Sequence, residues 1–343
     1  MKIYVDAYLA KNLGDDLFIN ILTNRYPEHK FYAISKGEKG YDTKNFKVYS
    51  NVYMFKALKK FQWEKHLANY YDTVVTIGGS MFMERGDTNR DFSLGKNKRY
   101  VLGINFGPYK TQEYYNNIHN MLSNVEDVCF RDKYSYNLFK DLPNVRQAAD
   151  IVFSKDMSNI KNTNRKRAII SIISPKDKIN KKYQKQYEEK MLELISFLIE
   201  KGYEICLMSF CKIEHDEEEI EEIYSKIPEK QRRNVEKYYY DGNVEEALNT
   251  IADSQLVVGG RFHANIIGLC LGKSILPVLY SDKTLHVLQD MQIDTPIIDI
   301  RNLESFDIKS ITDDDLTRHY DVEKQKEDAQ RHFEKLDLQL KKT

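Results

Sequence analysis

Short apolar runs alternate with amphipathic stretches along nearly the whole chain, the pattern of a parallel α/β protein. Residues 2–9 set Ile3, Val5 and Ala7 against polar or aromatic neighbours and predict a first strand. Further strands are predicted over 31–34, 47–51, 73–77, 100–106 and 127–130, with helices over 54–70 and 112–122. After 130 comes a helix containing Tyr134, Leu138 and Phe139. Residues 156–167 are polar and carry no periodicity, which marks a linker between domains. Beyond it the rhythm restarts, with strands over 168–173, 204–210, 235–240, 256–258, 274–280 and 297–300. Helices are predicted over 182–201 and 244–252, and the acidic run HDEEEIEEIY from His215 reads as the solvated face of another. From 311 onward the chain is highly charged, with Tyr320, Ala329, Phe333 and Leu336 as buried points of one long terminal helix.

The segment from Leu256 to Met291 organises the second half. An apolar run ends in Gly259 and Gly260, and Arg261, Phe262 and His263 open a helix whose Ala264, Ile267, Gly268 and Leu271 share one face. A second apolar run ends at Ser281-Asp282-Lys283, where another helix starts. Ligands of such sheets bind beyond the carboxyl ends of the strands, so one crevice can receive Arg261, His263 and Lys283. Two cations and a titratable imidazole around a helix N-terminus suit a small phosphorylated or carboxylated molecule. The competing reading makes Arg261 and Lys283 solvated loop cations and His263 a hydrogen-bonded core histidine.

The first half offers a similar set. The NLGDD segment places Gly14 at a turn, with Asp15 or Asp16 available either to cap the following helix or to face a substrate. Gly78 and Gly79 follow a β-branched run, which implies close backbone approach to a ligand or to a packed helix. The polar stretch 84–98 is either an active-site loop or an ordinary surface excursion. Arg131 follows strand 127–130 as Arg261 follows its own strand, and either faces the crevice or pairs with Asp132 or Asp150.

Composition narrows the field. A chain of 343 residues exceeds a typical single core, so two domains are expected. Lys plus Arg equals Asp plus Glu at 52 each, which argues against nucleic acid as a partner. No apolar segment of 18 residues and no N-terminal signal pattern is visible, so neither a membrane span nor secretion is expected. Cys129, Cys206, Cys211 and Cys270 are scattered, without metal-ligand spacing, and read as reduced thiols with no metal site.

Five segments together carry a family resemblance: NLGDD, VVTIGGSMF, FRDKYSYNLF, LMSFCKIEHDE and, most specifically, GGRFHANIIGLCLGKSILPVLYSDK. Through them the sequence resembles the polysaccharide pyruvyl transferases over most of its length. Phe262 stands where other members often carry Leu, and Ser80 where many have a third glycine. The resemblance implies a GT-B-like fold, two Rossmann-like domains (1–160 and 161–310) facing a central cleft, with the 311–343 helix packing across them. It implies a cytoplasmic enzyme with phosphoenolpyruvate as donor substrate and no cofactor. The product is a pyruvate ketal on a sugar of a cell-surface polysaccharide or its lipid-linked precursor. A lipid-linked oligosaccharide acceptor would bring peripheral contact with the inner membrane face.

Residue by residue, the resemblance assigns the donor to Arg261, Lys283, Arg131 and Gly260. The chemistry of such a transfer then suggests His263 as the general acid or phosphate stabiliser and Asp15 as the base for the attacking hydroxyl. Asn12, Gly14, Gly78, Gly79 and Ser80 fall to the acceptor side. Two rival classes share the fold-level features: a GT-B glycosyltransferase with a nucleotide-sugar donor, and a non-catalytic glycan-binding or scaffold protein. No convincing glutamate for a ribose is found, which disfavours the first. The sequence carries no signal for the acceptor sugar or for an oligomeric state.

Overall fold

The structure, a computed structural model, describes residues 1–35, 41, 43–50, 70–84, 98–163, 165–175 and 180–341. The expected helix over 54–70 and the polar loop 84–98 lie outside the described residues, apart from their ends. The chain divides into two compact units. Met1–Leu9, Asp15–Lys155 and Gln325–Thr343 form the first, and Ala10–Gly14 with Asp156–Lys324 the second. The passage from one to the other falls between Lys155 and Asp156, at the start of the polar stretch 156–167 and a few residues before 160.

In the first unit the strands are β1 Lys2–Asp6, β2 Lys30–Ser35, β3 Phe46–Ser50, β4 Thr73–Ile77, β5 Arg99–Ile104, β6 Asp127–Phe130 and β7 Val145–Gln147. They form one parallel sheet in the order β3-β2-β1-β4-β5-β6-β7. Every residue of β4 (TVVTI) and β5 (RYVLGI) is buried, as central strands covered on both faces require. The edge strand β3 alternates buried and open positions, because only one of its faces meets the core. The short β7 has half-buried residues throughout and no apolar run, and so left no strand pattern in the sequence.

The second unit repeats the plan with β8 Arg167–Ser171, β9 Glu204–Met208, β10 Val235–Tyr238, β11 Leu256–Gly259, β12 Ser274–Leu279 and β13 Ile298–Asp299. Their order is β10-β9-β8-β11-β12-β13, again all parallel. The helix Gln184–Glu200 covers one face through Tyr187, Met191, Leu194, Ile195 and Leu198, spaced three and four apart. Each sheet therefore has the doubly wound order 3-2-1-4-5-6, extended in the first by a seventh strand, and its winding reverses between its first and fourth strands. These switch points lie between β1 and β4 in the first unit and between β8 and β11 in the second.

The terminal segment corrects the expectation of one long helix across both domains. Residues up to Lys324 stay with the second unit and those from Gln325 group with the first. Two short helices, Glu323–Ala329 and Glu334–Leu340, are joined by a tighter 3-10 turn, Gln330–Phe333. That turn puts Ala329, His332, Phe333 and Leu336 inside together. Polar anchors fix the segment: Asp337 accepts from Arg25 Nη2 at 2.7 Å and from the Tyr26 hydroxyl at 2.8 Å. None of the four cysteines forms a disulfide, and burial pushes the Cys129 and Cys211 thiols up to about 12 and Cys206 up to about 11. Among the described residues no helix is long and apolar enough to cross a membrane.

Candidate functional site

In the second unit the switch point is built from the ends of β8 and β11. The Gly260 amide donates to the Ser171 carbonyl at 3.1 Å, and the Arg261 amide to the Ser171 hydroxyl at 3.2 Å. A Cβ on Gly260 would stand 2.4 Å from that carbonyl oxygen, and one on Gly259 would stand 2.1 Å from Asn265 Oδ1. The close approach that these glycines permit is thus to the chain itself. Asn265, fully buried, ties the turn by donating Nδ2 to the Gly259 carbonyl at 3.0 Å. For Gly260, expected to touch the donor, packing on Ser171 already accounts for the glycine.

Arg261 follows as the N-cap of the helix Phe262–Cys270, and it is neither a solvated loop cation nor an open one. Its side chain is 7% exposed and all three guanidinium nitrogens donate to carboxylates. Nε meets Asp216 Oδ2 at 3.0 Å, Nη2 meets Asp216 Oδ1, and Nη1 meets Glu214 Oε2. Burial works against the charge, yet Asp216 and Glu214 outweigh it and hold the guanidinium well above its ordinary value. Burial likewise pushes the Asp216 carboxyl up, with Arg261 and the amides of Phe210 and Cys211 pulling against it.

The burial of Asp216 is not legible in the sequence from its acidic composition alone. The run from His215 was read as a solvated helix face, but Asp216, Glu219, Ile220 and Ile223 of the helix Asp216–Lys226 are all buried. Their spacing of three, one and three residues was the available signal, since it puts two carboxylates on the apolar face. A buried carboxylate needs a buried partner, and Arg261 is the one Asp216 finds.

His263 is half-buried, the second residue of the helix Phe262–Cys270. The NLGDD segment contributes to its setting, because Ala10–Gly14 groups with the second unit. Leu13 N donates to the Phe210 carbonyl at 3.1 Å, and Asn12 forms an antiparallel bridge to Cys211. A Cβ on Gly14 would stand 1.9 Å from His263 Nδ1, so only glycine leaves room for the imidazole here. The ring's Nδ1 edge therefore faces Gly14, with Nε2 on the opposite edge. Asn12 accepts from the Gly14 amide at 3.1 Å and caps the helix Leu13–Arg25, a task the sequence reading gave to Asp15 or Asp16. Lys283 lies in the first turn of the helix Asp282–Asp290, after β12, the neighbour of β11. It is half-buried, with Nζ 5.7 Å from the Tyr280 ring centroid.

The first unit gathers its own set at the β1/β4 switch point and beside it. Arg131 is buried after β6; its Nη1 donates to Asp150 at 3.0 Å and Nη2 to Asn105 Oδ1 at 2.7 Å. Asp150 is thus an acidic partner of Arg131, and Asp132 caps the next helix through the Ser135 amide at 2.7 Å. A Cβ on Gly79 would stand 2.8 Å from Arg131 Nη1, so the glycine lets the guanidinium lie against the backbone. Ser80 Oγ reaches Asn105 Oδ1 at 3.4 Å. Asp15 is half-buried, and its Oδ1 lies 3.6 Å from where a Gly78 Cβ would stand. The structure thus brings Asp15, Gly78, Gly79, Ser80 and Arg131 into the first unit, and Asn12, Gly14, Gly260, Arg261, His263 and Lys283 into the second. Among the described residues no group of three or more His, Cys, Asp or Glu is placed to hold a metal.

Two doubly wound parallel sheets define a two-unit Rossmann-like fold of the GT-B type. The chain is similar to UDP-GlcNAc 2-epimerase from Methanocaldococcus jannaschii in complex with UDP-GlcNAc and UDP. The TM-score is 0.65 at 10% identity, covering 98% of this chain and 100% of that one. It is also similar to Anabaena HepE in complex with UDP and glucose, with a TM-score of 0.56 at 11% identity over 99% and 98% of the two chains. At these identities the likeness is one of fold. The sequence says more: residues 11–283 match the model of the polysaccharide pyruvyl transferase family, and the chain belongs to that family. The amylovoran biosynthesis protein AmsJ of Erwinia amylovora is a relative, 24% identical over 286 residues, 74% of this chain and 68% of that protein.

Proposed function

We propose that this protein transfers the enolpyruvyl group of phosphoenolpyruvate to a sugar of an exopolysaccharide or its lipid-linked precursor, leaving a cyclic pyruvate ketal. Family membership carries the reading, together with the family's Arg-x-His element, Arg261 and His263, at the switch point of the second unit. Phosphoenolpyruvate presents a phosphate and a carboxylate on one small frame, and a fixed guanidinium bonds either group bidentately. Imidazole titrates near neutral pH and is suited to moving a proton there.

His263 Nε2 delivers a proton to the methylene carbon, which becomes the ketal methyl group and leaves an oxocarbenium-like C2. One sugar hydroxyl bonds to C2 and gives up its proton. The bond from C2 to the phosphate oxygen breaks, and a second hydroxyl of the same sugar closes the ring with loss of its own proton. Phosphate leaves, stabilised by Arg261 and Lys283. Gly14 serves this chemistry by fixing the imidazole ring through contact rather than by touching substrate.

The test is a thermal shift of the purified protein with phosphoenolpyruvate and with UDP-, GDP- and CDP-sugars, repeated on His263→Ala. A ligand at about 100 times its dissociation constant adds roughly 2.7 kcal/mol. Stabilisation by phosphoenolpyruvate, with phosphate released only when a glycan acceptor is added and lost in His263→Ala, is the expected result. Stabilisation by a nucleotide-sugar with none by phosphoenolpyruvate would replace pyruvyl transfer by glycosyl transfer.

A further inference from the structure

The loops that leave β5 and β6 carry an aromatic set outside the residues assigned to the donor. Its rings are ordered from inside to outside. Phe130 and Phe139 are fully buried, with centroids 5.5 Å apart. Phe139 meets Phe106 at 4.9 Å, and Phe106 meets Tyr109 at 4.8 Å. Phenylalanines fill the interior and tyrosines the outer end. There Tyr109 is half-buried, and Tyr134, in the first turn of the helix Lys133–Phe139, is 44% exposed. The two are neighbours: burial raises the Tyr134 phenol, and Tyr109 adds to the rise.

The backbone under both rings is fastened. Glu84 accepts from the Thr111 amide at 2.9 Å and from its hydroxyl at 2.7 Å, and the Glu84 amide donates to the Pro108 carbonyl at 3.0 Å. These ties lie on either side of Tyr109. The Phe106 amide donates to Ser135 Oγ at 2.8 Å, which joins the helix of Tyr134 to the same loop. Tyrosines so held offer a rigid contact area with little conformational entropy left to lose.

Position decides what this surface meets. β5 and β6 are adjacent and parallel, so both loops stand at the carboxyl ends of strands, where ligands of such sheets bind. Asn105 heads the loop of Tyr109 and accepts from Arg131 Nη2 and Ser80 Oγ, which makes the aromatic set continuous with Ser80 on the acceptor side. A pyranose has a face of C–H groups and a rim of hydroxyls. The C–H face matches the electron-rich face of an aromatic ring, and the rim matches phenol and serine oxygens. A small, multiply charged donor gains little from two tyrosine rings, which marks the surface as the acceptor's.

We infer that Tyr109 and Tyr134 form the platform on which a pyranose ring of the acceptor glycan lies, with Ser80 at its edge. The platform reads the shape of one sugar face and carries no charge of its own. The inference rests on the proposed transfer to a sugar, and the measurement is chosen to separate the two.

Methyl glycosides of galactose, glucose, mannose and N-acetylglucosamine, and separately UDP-glucose, are added to the full-length protein. Magnetisation transferred from the protein's aromatic protons to each ligand is read by NMR. The proteins are the wild type, Tyr109→Ala, Tyr134→Ala and Tyr134→Phe, with melting temperatures recorded alone and with phosphoenolpyruvate. Ring C–H protons of at least one glycoside should receive transfer in the wild type and in Tyr134→Phe. In each alanine variant the transfer should fall roughly fivefold or more, the size of losing one ring contact, while the thermal shift with phosphoenolpyruvate stays as in the wild type. Transfer that survives both alanine variants, or that reaches no glycoside in the wild type, overturns the platform; a retained phosphoenolpyruvate shift then leaves the donor standing. Transfer to the uracil protons of UDP-glucose in place of the sugars gives the rings to a nucleotide and overturns the platform as well. Sugar transfer without any phosphoenolpyruvate shift overturns the donor and supports the platform.

Discussion

Arg131 and Arg261 each follow a strand on the far side of the switch point in sheets of the same winding, Arg131 after the sixth strand of its sheet and Arg261 after the fourth of its own. Their partners differ. Arg131 is shared between the carboxylate of Asp150 and the neutral amide oxygen of Asn105, whereas Arg261 gives every guanidinium nitrogen to a carboxylate. The glycines differ in the same way. Gly79 makes room for the arginine itself, while Gly259 and Gly260 make room for Asn265 and Ser171, and Gly14 for His263. One fold therefore presents two buried cations, one bonded to a carboxylate and an amide oxygen and one bonded to two carboxylates.

The largest effect should come from breaking the fixed half of the Arg261 pair. Asp216→Ala leaves a buried guanidinium short of two bonds and strands the amides of Phe210 and Cys211. Loss of one partner from a buried ion pair costs about 3–5 kcal/mol. Urea unfolding should show that loss; a change below about 1 kcal/mol would mean that Arg261 finds another partner and that the pair is not the anchor described.

A second prediction concerns the ground on which Arg131 stands. Asp150 follows Ala149, whose amide donates to Asp328 at 2.7 Å and whose carbonyl accepts Nε2 of His332 at 2.7 Å. His332 is fully buried, and burial pushes its imidazole down to about 4. The folded state then binds fewer protons than the unfolded chain between about 4 and the ordinary value near 6.5. This contribution is complete above pH 6.5 and is lost as pH falls toward 4. At about 1.4 kcal/mol per pH unit the loss is on the order of 3 kcal/mol. Comparing urea unfolding at pH 7.5 and pH 4.5 in the wild type and His332→Gln, which keeps a donor for Ala149, should show the dependence shrink in the variant. An unchanged slope would assign the acid sensitivity to other groups.

The architecture was legible because it follows from period alone. Buried central strands such as TVVTI and LVVG write continuous apolar runs, and the glycine pairs after them punctuate the turns. What escaped was pairing at a distance. Nothing local links Asp216 to Arg261, and an acidic run looks solvated until its helical phase is set against Ile220 and Ile223. The terminal segment failed for a related reason, since its break at Gln330–Phe333 answers to burial of His332 and Phe333 in the first unit, not to a proline or glycine in the sequence. Gly14 was marked as a turn residue, and its contact with His263 lies about 250 positions away, beyond any pattern in the sequence.

Gly14→Ala tests that contact and ranks third in energy. Added carbon in a filled space costs about 1–3 kcal/mol. Activity should fall further, by roughly a hundredfold, because the imidazole must shift by about an ångström. Gly79→Ala is the matching change beside Arg131, with a similar cost in stability. The comparison predicts that Gly14→Ala lowers turnover of phosphoenolpyruvate far more than its melting temperature suggests. Were activity and melting temperature to fall in step, the His263 contact would be packing and no more.

The smallest effect is the most informative. Glu214→Gln gives Arg261 a neutral amide oxygen beside its remaining carboxylate, the arrangement Arg131 has with Asn105 and Asp150. Arg261 keeps both bonds to Asp216, and the lost charge belongs to a partly exposed side chain, so stability should change by about 1 kcal/mol or less. Urea unfolding of Glu214→Gln beside Asp216→Ala then measures the asymmetry directly. A small loss against a large one means that Asp216 is the anchor of Arg261 and that Glu214 adds little to it. Equal losses would make Glu214 as structural as Asp216.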